Sequence, residues 1–482
     1  MTTPADILLV AINARYSHCS YAVRSLQANL GALSASSALL ETDLDIQPFQ
    51  LASQIAARRP RVVSFTAYLW NIRIIENTAQ ILRTIAPNIR LSIGGPEITP
   101  DYARPELFDA LTVGEGETTL RDLCERWLKK AGPTDGEPLW HPPTILTPDP
   151  EDTARLELPY ALYTDTDLTQ RTIYVEASRG CPYRCTYCTS ADTGLRLIPL
   201  DRLLPALDVL WQRGLRRFKF LDRTFNAPEK HASDILDFFL ARITHDTRLH
   251  FEINPDHLNA AFAAKIATFP QNTLHLETGV QTLNPRVAGL IGRSADTATT
   301  LANMRFLTHD TRATVHADLI FGLPGEDEAS FAHGFNALVT ACNPPEVQVN
   351  LLKVLPGTRL ARDAERLGLA FNREPPYEVL RSDTLDFASL TGIQCFARCW
   401  ELVHNRNRFP HAVQALHAAC NGEYYWSYKT LASRIQNEEG KFFAISLPHL
   451  ARHLRDHLIV TVGISEAEAD RLIEADLNGA KP

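Results

Sequence analysis

Three cysteines stand close together in the segment SRGCPYRCTYC at residues 178–188. Cys181, Cys185 and Cys188 have the spacing C-x3-C-x2-C, which allows a short loop to turn three thiolates toward one centre. Thiolates are the ligands that iron–sulfur clusters and zinc prefer. A closed structural site would need a fourth nearby ligand, and the next histidine is His231. Three ligands predict an open, reactive coordination position, and a zinc knuckle or three unrelated thiols are the alternative.

The cysteine segment follows the first strand of a regular strand–helix series. Helical stretches such as 201–212 and 232–243 separate the strands, and this alternation predicts a parallel sheet. Six units predict a partial (β/α)6 TIM-like barrel with its site at the carboxyl ends of the strands. The predicted strands are 173–178, 217–222, 250–254, 274–280, 314–322 and 347–356.

A separate strand–helix series comes earlier in the chain. It predicts an N-terminal Rossmann-like, doubly wound parallel sheet, in which ligands bind outside the carboxyl ends of the strands. The helices are predicted near 21–33 and 72–85. The predicted strands are 6–12, 44–48, 61–66, 91–95 and 110–117.

The 482 residues are too many for one ordinary core, and the fold class is α/β. We predict a sheet domain at 1–130, a proline-rich linker at 131–165, a barrel at 166–376 and a mostly helical region at 377–482. Apolar residues make up 45% and charged residues 22%, which excludes a disordered chain, a fibre and a coiled coil.

Charge and targeting features point to a cytoplasmic protein. The net charge of −8 supplies no general attraction for nucleic acid, so no specific nucleic-acid partner is expected. The first residues lack a basic, apolar signal sequence, and no apolar run is long enough to span a membrane. Nine cysteines are too few and too unevenly placed for a disulfide scaffold.

The cysteine segment resembles the signature of the radical S-adenosylmethionine enzymes. The resemblance implies that Cys181, Cys185 and Cys188 hold a 4Fe–4S cluster whose fourth iron binds the amino and carboxylate groups of S-adenosylmethionine. It also implies that an electron from the cluster cleaves this molecule to a 5′-deoxyadenosyl radical. A reducing partner such as a flavodoxin or a ferredoxin would supply the electron.

Further positions match the same family less sharply. Tyr187, before the last cysteine, is expected near the adenine, as is the segment that contains Gly322 and Gly325. Asp222 stands where the family has a Gly-Gly-Glu segment, from which this chain departs, and it is a candidate for the methionine amino group. The candidates for the ribose hydroxyls are Glu252 and Glu277, because a carboxylate accepts two hydrogen bonds from a diol. A salt bridge at the barrel rim is the alternative for each carboxylate.

The first domain resembles the cobalamin-binding domain found upstream of one large radical S-adenosylmethionine class. The resemblance rests on the segments FTAYLWN at 65–71, IGGPE at 93–97 and VGEGE at 113–117. It lacks the Asp-x-His-x-x-Gly motif, which implies cobalt without a histidine ligand, and His18 is expected to form hydrogen bonds instead. A flavodoxin-like module with degenerate sites is the alternative. The expected cobalamin-contacting residues are Thr66, Tyr68, Leu69, Trp70, Gly94, Gly95, Gly114, Glu115 and Gly116.

These resemblances imply an enzyme that uses a 4Fe–4S cluster, S-adenosylmethionine and cobalamin. The expected reaction is methylation of an unactivated carbon, with one S-adenosylmethionine methylating cobalamin and a second providing the radical. Two alternatives stay open: a radical cyclase or rearrangement enzyme with the same cofactors, and a corrinoid or cluster-binding carrier or sensor. The residues that contact the substrate are not assigned.

Overall fold

A computed structural model describes residues 5–129 and 143–479 of the protein. The chain divides into two compact units. The first unit comprises residues 1–180 and 193–222, and the second comprises residues 181–192 and 223–482.

The first unit contains a six-stranded parallel sheet with the order β2-β1-β3-β4-β5-β6. Four α-helices alternate with its strands, as the sequence predicts. Short 3₁₀ helices occupy Gly31–Ser36 and Pro105–Leu107. The elements are β1 (Ile7–Asn13), α1 (Tyr21–Ala28), β2 (Ser37–Asp43), α2 (Pro48–Arg58), β3 (Val62–Thr66), α3 (Ile72–Ile85), β4 (Arg90–Gly94), β5 (Ala110–Thr112), α4 (Glu117–Lys129) and β6 (Thr144–Leu146).

The central strand β1 contributes to two apolar cores. Its residues are all buried, as expected for a parallel strand covered on both faces. Leu8 and Val10 belong to one apolar cluster, and Ile7 and Leu9 belong to another. Because successive side chains of a strand point to opposite faces, this division confirms the doubly wound arrangement.

Two local expectations differ from the structure. The predicted strand at 44–48 is wrong: β2 lies at Ser37–Asp43, and Pro48 already begins α2. β2 is an edge strand with mostly half-buried residues, so it lacks the continuous apolar run of the buried strands. In addition, β6 pairs with β5 inside the range predicted as a linker, of which residues 131–142 lie outside the described part.

The remainder of the first unit begins with a 3₁₀ helix at Pro159–Leu162. Two of the predicted barrel strands follow, and they pair in parallel with each other as β7 and β10. An antiparallel pair, β8 and β9, flanks the cysteine segment in sequence. The elements are α5 (Asp165–Gln170), β7 (Ile173–Val175), β8 (Ser178–Arg179), β9 (Arg196–Leu197), α6 (Leu200–Gln212) and β10 (Arg217–Phe220).

The second unit contains the other four predicted barrel strands. They pair in parallel in chain order, β11 with β12, β12 with β13 and β13 with β14. The elements are α7 (Glu229–Leu240), β11 (Arg248–Ile253), α8 (Ala260–Ala267), β12 (Leu274–Gln281), α9 (Pro285–Leu290), α10 (Thr297–His309), β13 (Thr314–Phe321), α11 (Glu328–Cys342), β14 (Glu346–Leu351) and α12 (Arg359–Asp363).

Helices dominate the C-terminal region, which confirms the prediction for this part of the chain. A small antiparallel pair precedes them, and π-helical turns follow two of the helices at Glu401–Asn405 and Leu458–Val462. Among residues 5–129 and 143–479, no helix has both the length and the apolar character needed to cross a membrane. The elements are β15 (Ala370–Phe371), β16 (Val379–Arg381), α13 (Phe387–Trp400), α14 (Pro410–Ala419), α15 (Tyr424–Glu439), α16 (Leu447–His457) and α17 (Glu466–Gly479).

Candidate functional site

The cysteine segment begins at a glycine that no other residue can replace without strain. Gly180 follows β8 and has a φ of 80°, in the left-handed region. A Cβ atom at this position would lie 1.8 Å from the carbonyl oxygen of Gly194. The close approach of these two backbone segments therefore requires glycine immediately before Cys181.

Backbone contacts hold the cysteine loop from two sides. The Thr186 N–H donates to the carbonyl oxygen of Ile291 over 2.9 Å, and the Leu360 N–H donates to the carbonyl oxygen of Thr186 over 2.9 Å. A Cβ atom on Gly292 would lie 2.6 Å from the carbonyl oxygen of Arg184. The turn after α9 and the start of α12 thus fix the path of a loop that has no regular structure of its own.

The three thiols of this loop are free, with one buried and two half-buried. Cys181 Sγ lies 3.5 Å from Thr224 Oγ1, and the Ser190 N–H donates to Cys188 Sγ over 3.4 Å. Cys185 is the buried member. The chemistry of this donor set, three thiols on one clamped loop, fits an iron–sulfur cluster with one iron left for another ligand.

Sequence reasoning missed Arg293, which supports the buried thiol. Its guanidinium group is paired with Asp256 over 3.1 Å and donates to Asn254 Oδ1 over 3.2 Å. It also hydrogen-bonds Cys185. Burial raises the pKa of the Cys185 thiol, and the positive charge of Arg293 opposes that effect, favouring the thiolate that metals bind. A lone arginine in a turn carries no sequence signal that would have identified it.

Tyr187 lies within the same cluster of side chains. Its hydroxyl hydrogen-bonds the Cys185 sulfur, and burial raises its pKa well above the ordinary value. The structure therefore places this predicted adenine neighbour against the thiol loop.

The carboxylate of Asp222 is buried rather than open. Its Oδ2 atom accepts from the Ala177 N–H over 2.9 Å, and its Oδ1 atom is 2.5 Å from the Ser178 hydroxyl. Burial raises the pKa of Asp222 to about 7, and these two hydrogen bonds oppose the shift. In the described structure, Asp222 ties the end of β10 to the chain between β7 and β8.

The two ribose candidates are neighbours on adjacent strands. Glu252 of β11 is paired in register with Glu277 of β12. Glu277 Oε2 also lies 2.9 Å from His250 Nε2. The structure thus brings together two carboxylates that are separated in the sequence.

The glycines after β13 permit close packing of the chain. Gly322 and Gly325 have φ values of 84° and 77°, and a Cβ on Gly322 would lie 2.7 Å from Val379 Cγ1. The next residue, Glu326, is buried, accepts from the Thr282 hydroxyl over 2.6 Å, and has a pKa raised by burial to about 7. Within the described residues its Oε2 atom has no hydrogen-bond partner. A buried acceptor of this kind is suited to a polar ligand.

An aromatic surface follows β3 in the first unit. Tyr68 and Trp70 stack with ring centroids 4.5 Å apart and an angle of 6° between planes, and Trp70 is 46% exposed. Asn71 holds this segment: its side chain donates to the Ile12 and Thr66 carbonyls and accepts from the Tyr68 N–H. A flat aromatic pair with one half-buried and one exposed ring is suited to a large planar ligand.

Glycines allow the neighbouring strand ends to approach one another. Gly95 has a φ of 116°, and a Cβ there would lie 2.4 Å from the Ala67 carbonyl oxygen. Gly114 has a φ of 109° with no heavy atom within 4 Å of its Cβ position.

His18 Nδ1 lies 2.6 Å from the Tyr174 hydroxyl, in agreement with its expected hydrogen-bonding role.

The carboxylates of the VGEGE segment bind arginines. Glu115 pairs with Arg196 over 2.5 Å, and Glu117 pairs with Arg179 over 2.6 Å. Arg179 is also 3.0 Å from Glu176. Burial would raise the pKa of Glu117, but Arg179 reverses the effect and lowers it. Both glutamates therefore connect the first sheet to residues that flank the cysteine segment in sequence.

Two family models match successive parts of the chain. A model of the B12 binding domain matches residues 7–124, and a model of the radical SAM superfamily matches residues 175–337. The chain joins a B12-binding domain to a radical S-adenosylmethionine domain. Cobalamin, a 4Fe–4S cluster and S-adenosylmethionine are the cofactors that these domains imply.

Some of the curated proteins that this chain resembles are methyltransferases. One is 2-(S-pantetheinyl)-carbapenam-3-carboxylate methyltransferase of Streptantibioticus cattleyicolor, 24% identical over 77% of this chain and 58% of the relative. Another is the cobalamin-dependent radical SAM methyltransferase TokK of Streptomyces tokunonensis, 24% identical over 76% of this chain and 58% of the relative. The chain therefore spans less than two thirds of the length of these relatives.

Solved structures share the fold of this chain at low sequence identity. The cobalamin-dependent S-adenosylmethionine radical enzyme OxsB is 13% identical, with a TM-score of 0.65 over 98% of this chain and 80% of OxsB. The radical S-adenosylmethionine methyltransferase TsrM from Kitasatospora setae is 18% identical, with a TM-score of 0.58 over 77% of this chain and 80% of TsrM.

Proposed function

We propose that this protein is a cobalamin-dependent radical S-adenosylmethionine methyltransferase that methylates an unactivated carbon. The observation that carries the proposal is the presence, in one chain, of the clamped three-cysteine loop and of a doubly wound sheet bearing the Tyr68–Trp70 stack. The methyltransferases among the relatives support the same reaction class. The substrate remains unassigned, because the loops and helices outside the matched regions carry no motif for it.

When bound, the cluster supplies the electron that cleaves S-adenosylmethionine, and cobalamin supplies a carrier for the methyl group. The chain's own part is binding and positioning. Cys181, Cys185 and Cys188 hold the cluster, and Arg293 stabilises the buried thiolate through its hydrogen bond to Cys185.

For S-adenosylmethionine, we propose contacts on neighbouring strand ends. Glu252 and Glu277 lie in register on adjacent strands, and the backbones of neighbouring strands are about 4.8 Å apart. The two hydroxyls of one ribose can therefore reach both carboxylates. Tyr187 and the backbone at Gly322 and Gly325 lie toward the adenine. The role of Asp222 toward the methionine amino group stays a prediction, and it requires the buried carboxylate to bind one more donor.

For cobalamin, we propose that the Tyr68–Trp70 stack and Leu69 contact the corrin and that Gly94, Gly95, Gly114 and Gly116 line the path of its nucleotide tail. Contact with the exposed ring of Trp70 would remove apolar corrin surface from water. Thr66 donates to the Val10 carbonyl over 3.4 Å and positions the segment. The cobalamin role of Glu115 stays a prediction beside its pairing with Arg196.

The test is cleavage of S-adenosylmethionine by anaerobically reconstituted protein given a chemical reductant and cobalamin. We expect 5′-deoxyadenosine from the native chain and a loss of at least 100-fold in Cys185→Ala, because the cluster loses a ligand. Cys395→Ala, which removes a half-buried thiol of α13, is the matched control and should retain the activity.

The product masses separate the possible reactions. Methyl transfer predicts that S-adenosylhomocysteine forms together with 5′-deoxyadenosine. It also predicts that a substrate, supplied in an extract of the cells that make the protein, gains one methyl group. Turnover with deoxyadenosine but without S-adenosylhomocysteine or mass gain would indicate a cyclase or rearrangement enzyme. Absence of both nucleoside products in cluster-loaded protein, or full cleavage by Cys185→Ala, would contradict the proposal.

A further inference from the structure

A cluster of histidine and carboxylate side chains lies on the barrel strands of the second unit, apart from the cysteine loop. His275 of β12, His316 of β13 and Glu346 of β14 each offer a ligand atom, and these atoms all lie within 4.8 Å of one another. We propose that these three side chains bind one zinc ion. None of the three proposed ligands is assigned to a cofactor above, although Glu277, proposed for the ribose, is the registered neighbour of His316.

The pleat and register of the strands explain why these side chains meet. In β12 and β13, the buried apolar residues at 274, 276, 315 and 317 alternate with the residues of the cluster, which places the cluster on one face. His316 is paired in register with Glu346 on one side and with Glu277 on the other. Neighbouring parallel strands are about 4.8 Å apart, so His316 and Glu346 are direct neighbours. His275 is in register with Thr314 and reaches His316 diagonally, with the three ligand atoms still within 4.8 Å of one another.

The distances are suited to a small transition-metal ion. His316 Nδ1 lies 3.7 Å from Glu346 Oε2. Zinc bonds of about 2.0–2.2 Å in a tetrahedral site place neighbouring ligand atoms about 3.4 Å apart. The His275 and His316 rings are inclined at 77° with centroids 6.1 Å apart, which allows their nitrogen atoms to converge without stacking of the rings. Modest side-chain rotation therefore completes the site.

Surrounding side chains orient the predicted ligands. His316 Nε2 lies 3.4 Å from Asp318 Oδ1, and a carboxylate on the far nitrogen is a recurrent support for a metal-binding histidine. The His250 ring stacks on His275 with centroids 4.5 Å apart, and His250 is itself 2.9 Å from Glu277 Oε2. The ligand histidines are thus held in place by packing and by charge.

The donor set and its exposure indicate the ion and its access. Two imidazoles and one carboxylate are a common zinc ligand set that leaves a fourth position for water. His316 is buried, whereas the Glu346 side chain is 38% exposed, so an ion can enter from the Glu346 side. Glu346 of the cluster and the neighbouring carboxylates Glu277 and Asp318 face histidines, and when those histidines are neutral a divalent cation would compensate part of the negative charge.

The position of the cluster in the strands separates it from the cysteine loop. His275 is the second residue of β12, His316 the third of β13 and Glu346 the first of β14. Along β12, His275 stands four residues before Gly279, whose carbonyl accepts from Arg293, and this separation is about 13 Å. The ion would therefore link the amino ends of three neighbouring strands, and it would not share ligands with the cysteine loop.

The experiment measures zinc in the full-length protein after the cysteine loop has been loaded with its cluster under anaerobic conditions. Excess metal is removed, zinc is added back, and bound zinc, iron and cobalt are counted by mass spectrometry of the elements. X-ray absorption at the zinc edge then reports whether nitrogen and oxygen, or sulfur, surround the ion. We expect one zinc per chain in a nitrogen and oxygen shell, and a higher thermal unfolding midpoint with zinc than without it.

Matched variants identify the ligands. The double variant His275→Asn and His316→Gln should lose zinc while its iron content stays unchanged, and His309→Gln, an exposed histidine of α10, should retain zinc. Should the double variant fail to fold, Glu346→Gln on the exposed side should weaken zinc affinity at least tenfold. The proposal would be overturned by sulfur around the zinc or by zinc retained in the histidine variants. It would also be overturned if iron beyond that of the cluster bound in place of zinc, or if the protein took up no zinc at micromolar concentration.

Discussion

Asp222 tests whether burial keeps a carboxyl group of the first unit protonated at mildly acidic pH. Its carboxylate accepts from the Ala177 N–H and meets the Ser178 hydroxyl, and burial raises its pKa to about 7. We predict that Asp222→Asn removes the pH dependence that this carboxyl group gives to stability, while it keeps the contacts to Ala177 and Ser178. The amide oxygen of asparagine can accept from Ala177, and its NH₂ group can donate to Ser178.

The sign of the effect follows from the two protonation states. An unfolded aspartate ionises near pH 3.9, so between pH 4 and 7 the folded chain holds a proton that the unfolded chain has released. The full stabilisation from this group is present below about pH 4. It decreases as the pH rises and is lost above about pH 7, where the folded carboxyl group also ionises. The difference of about three pH units corresponds to roughly 4 kcal/mol over the whole range, and to about 2 kcal/mol, or 30- to 50-fold, between pH 5 and 7.

Hydrogen exchange at the Ala177 amide measures this directly, because that amide is the donor to Asp222. The native chain and Asp222→Asn are compared at each pH, so the intrinsic exchange rate is the same for both. We expect protection in the native chain to fall 30- to 50-fold relative to the variant between pH 5 and 7. Glu176, whose pKa burial also raises, is present in both chains, so the comparison reports Asp222 together with its electrostatic coupling to Glu176.

Asp222→Ala is the control that separates charge from hydrogen bonding. It leaves the buried Ala177 N–H without its acceptor and should lower protection by about 1–3 kcal/mol throughout the pH range. If the native chain and Asp222→Asn show the same pH dependence, Asp222 is ionised in the folded protein and the reasoning from burial is wrong.

Two further substitutions test the first unit. Arg179→Met should lower the free energy of unfolding by about 3–5 kcal/mol in urea titrations, because it leaves the buried Glu117 and Glu176 carboxylates unpaired; a loss below 1 kcal/mol would contradict this. Gly95→Ala should reduce cobalamin affinity at least tenfold, measured by absorbance of the bound corrinoid, because its Cβ would meet the Ala67 carbonyl oxygen at 2.4 Å. The iron content of Gly95→Ala should stay unchanged. Gly289→Ala is the control, because no atom lies within 4 Å of its Cβ position. Native cobalamin affinity in Gly95→Ala would refute the role of that glycine.

The repeating architecture and the three-cysteine loop can be recognised from the amino-acid sequence alone. Buried parallel strands are continuous apolar runs, so β1 and β3 were predicted within one residue, and the six barrel strands were all found. The cysteine loop was equally readable, because its ligands are close in the chain. An edge strand such as β2 lacks this signal, since half-burial permits mixed composition.

Which distant side chains meet depends on tertiary packing. Arg293 reaches Cys185 from another loop, and Arg179 bridges the carboxylates of Glu117 and Glu176, which are 59 residues apart in the chain. The His275–His316–Glu346 cluster depends on strand register, and a shift of one residue would turn a strand's side chains to the opposite face. Spacing along the chain encodes local ligands, whereas contacts between separate strands and loops depend on packing that no single segment contains.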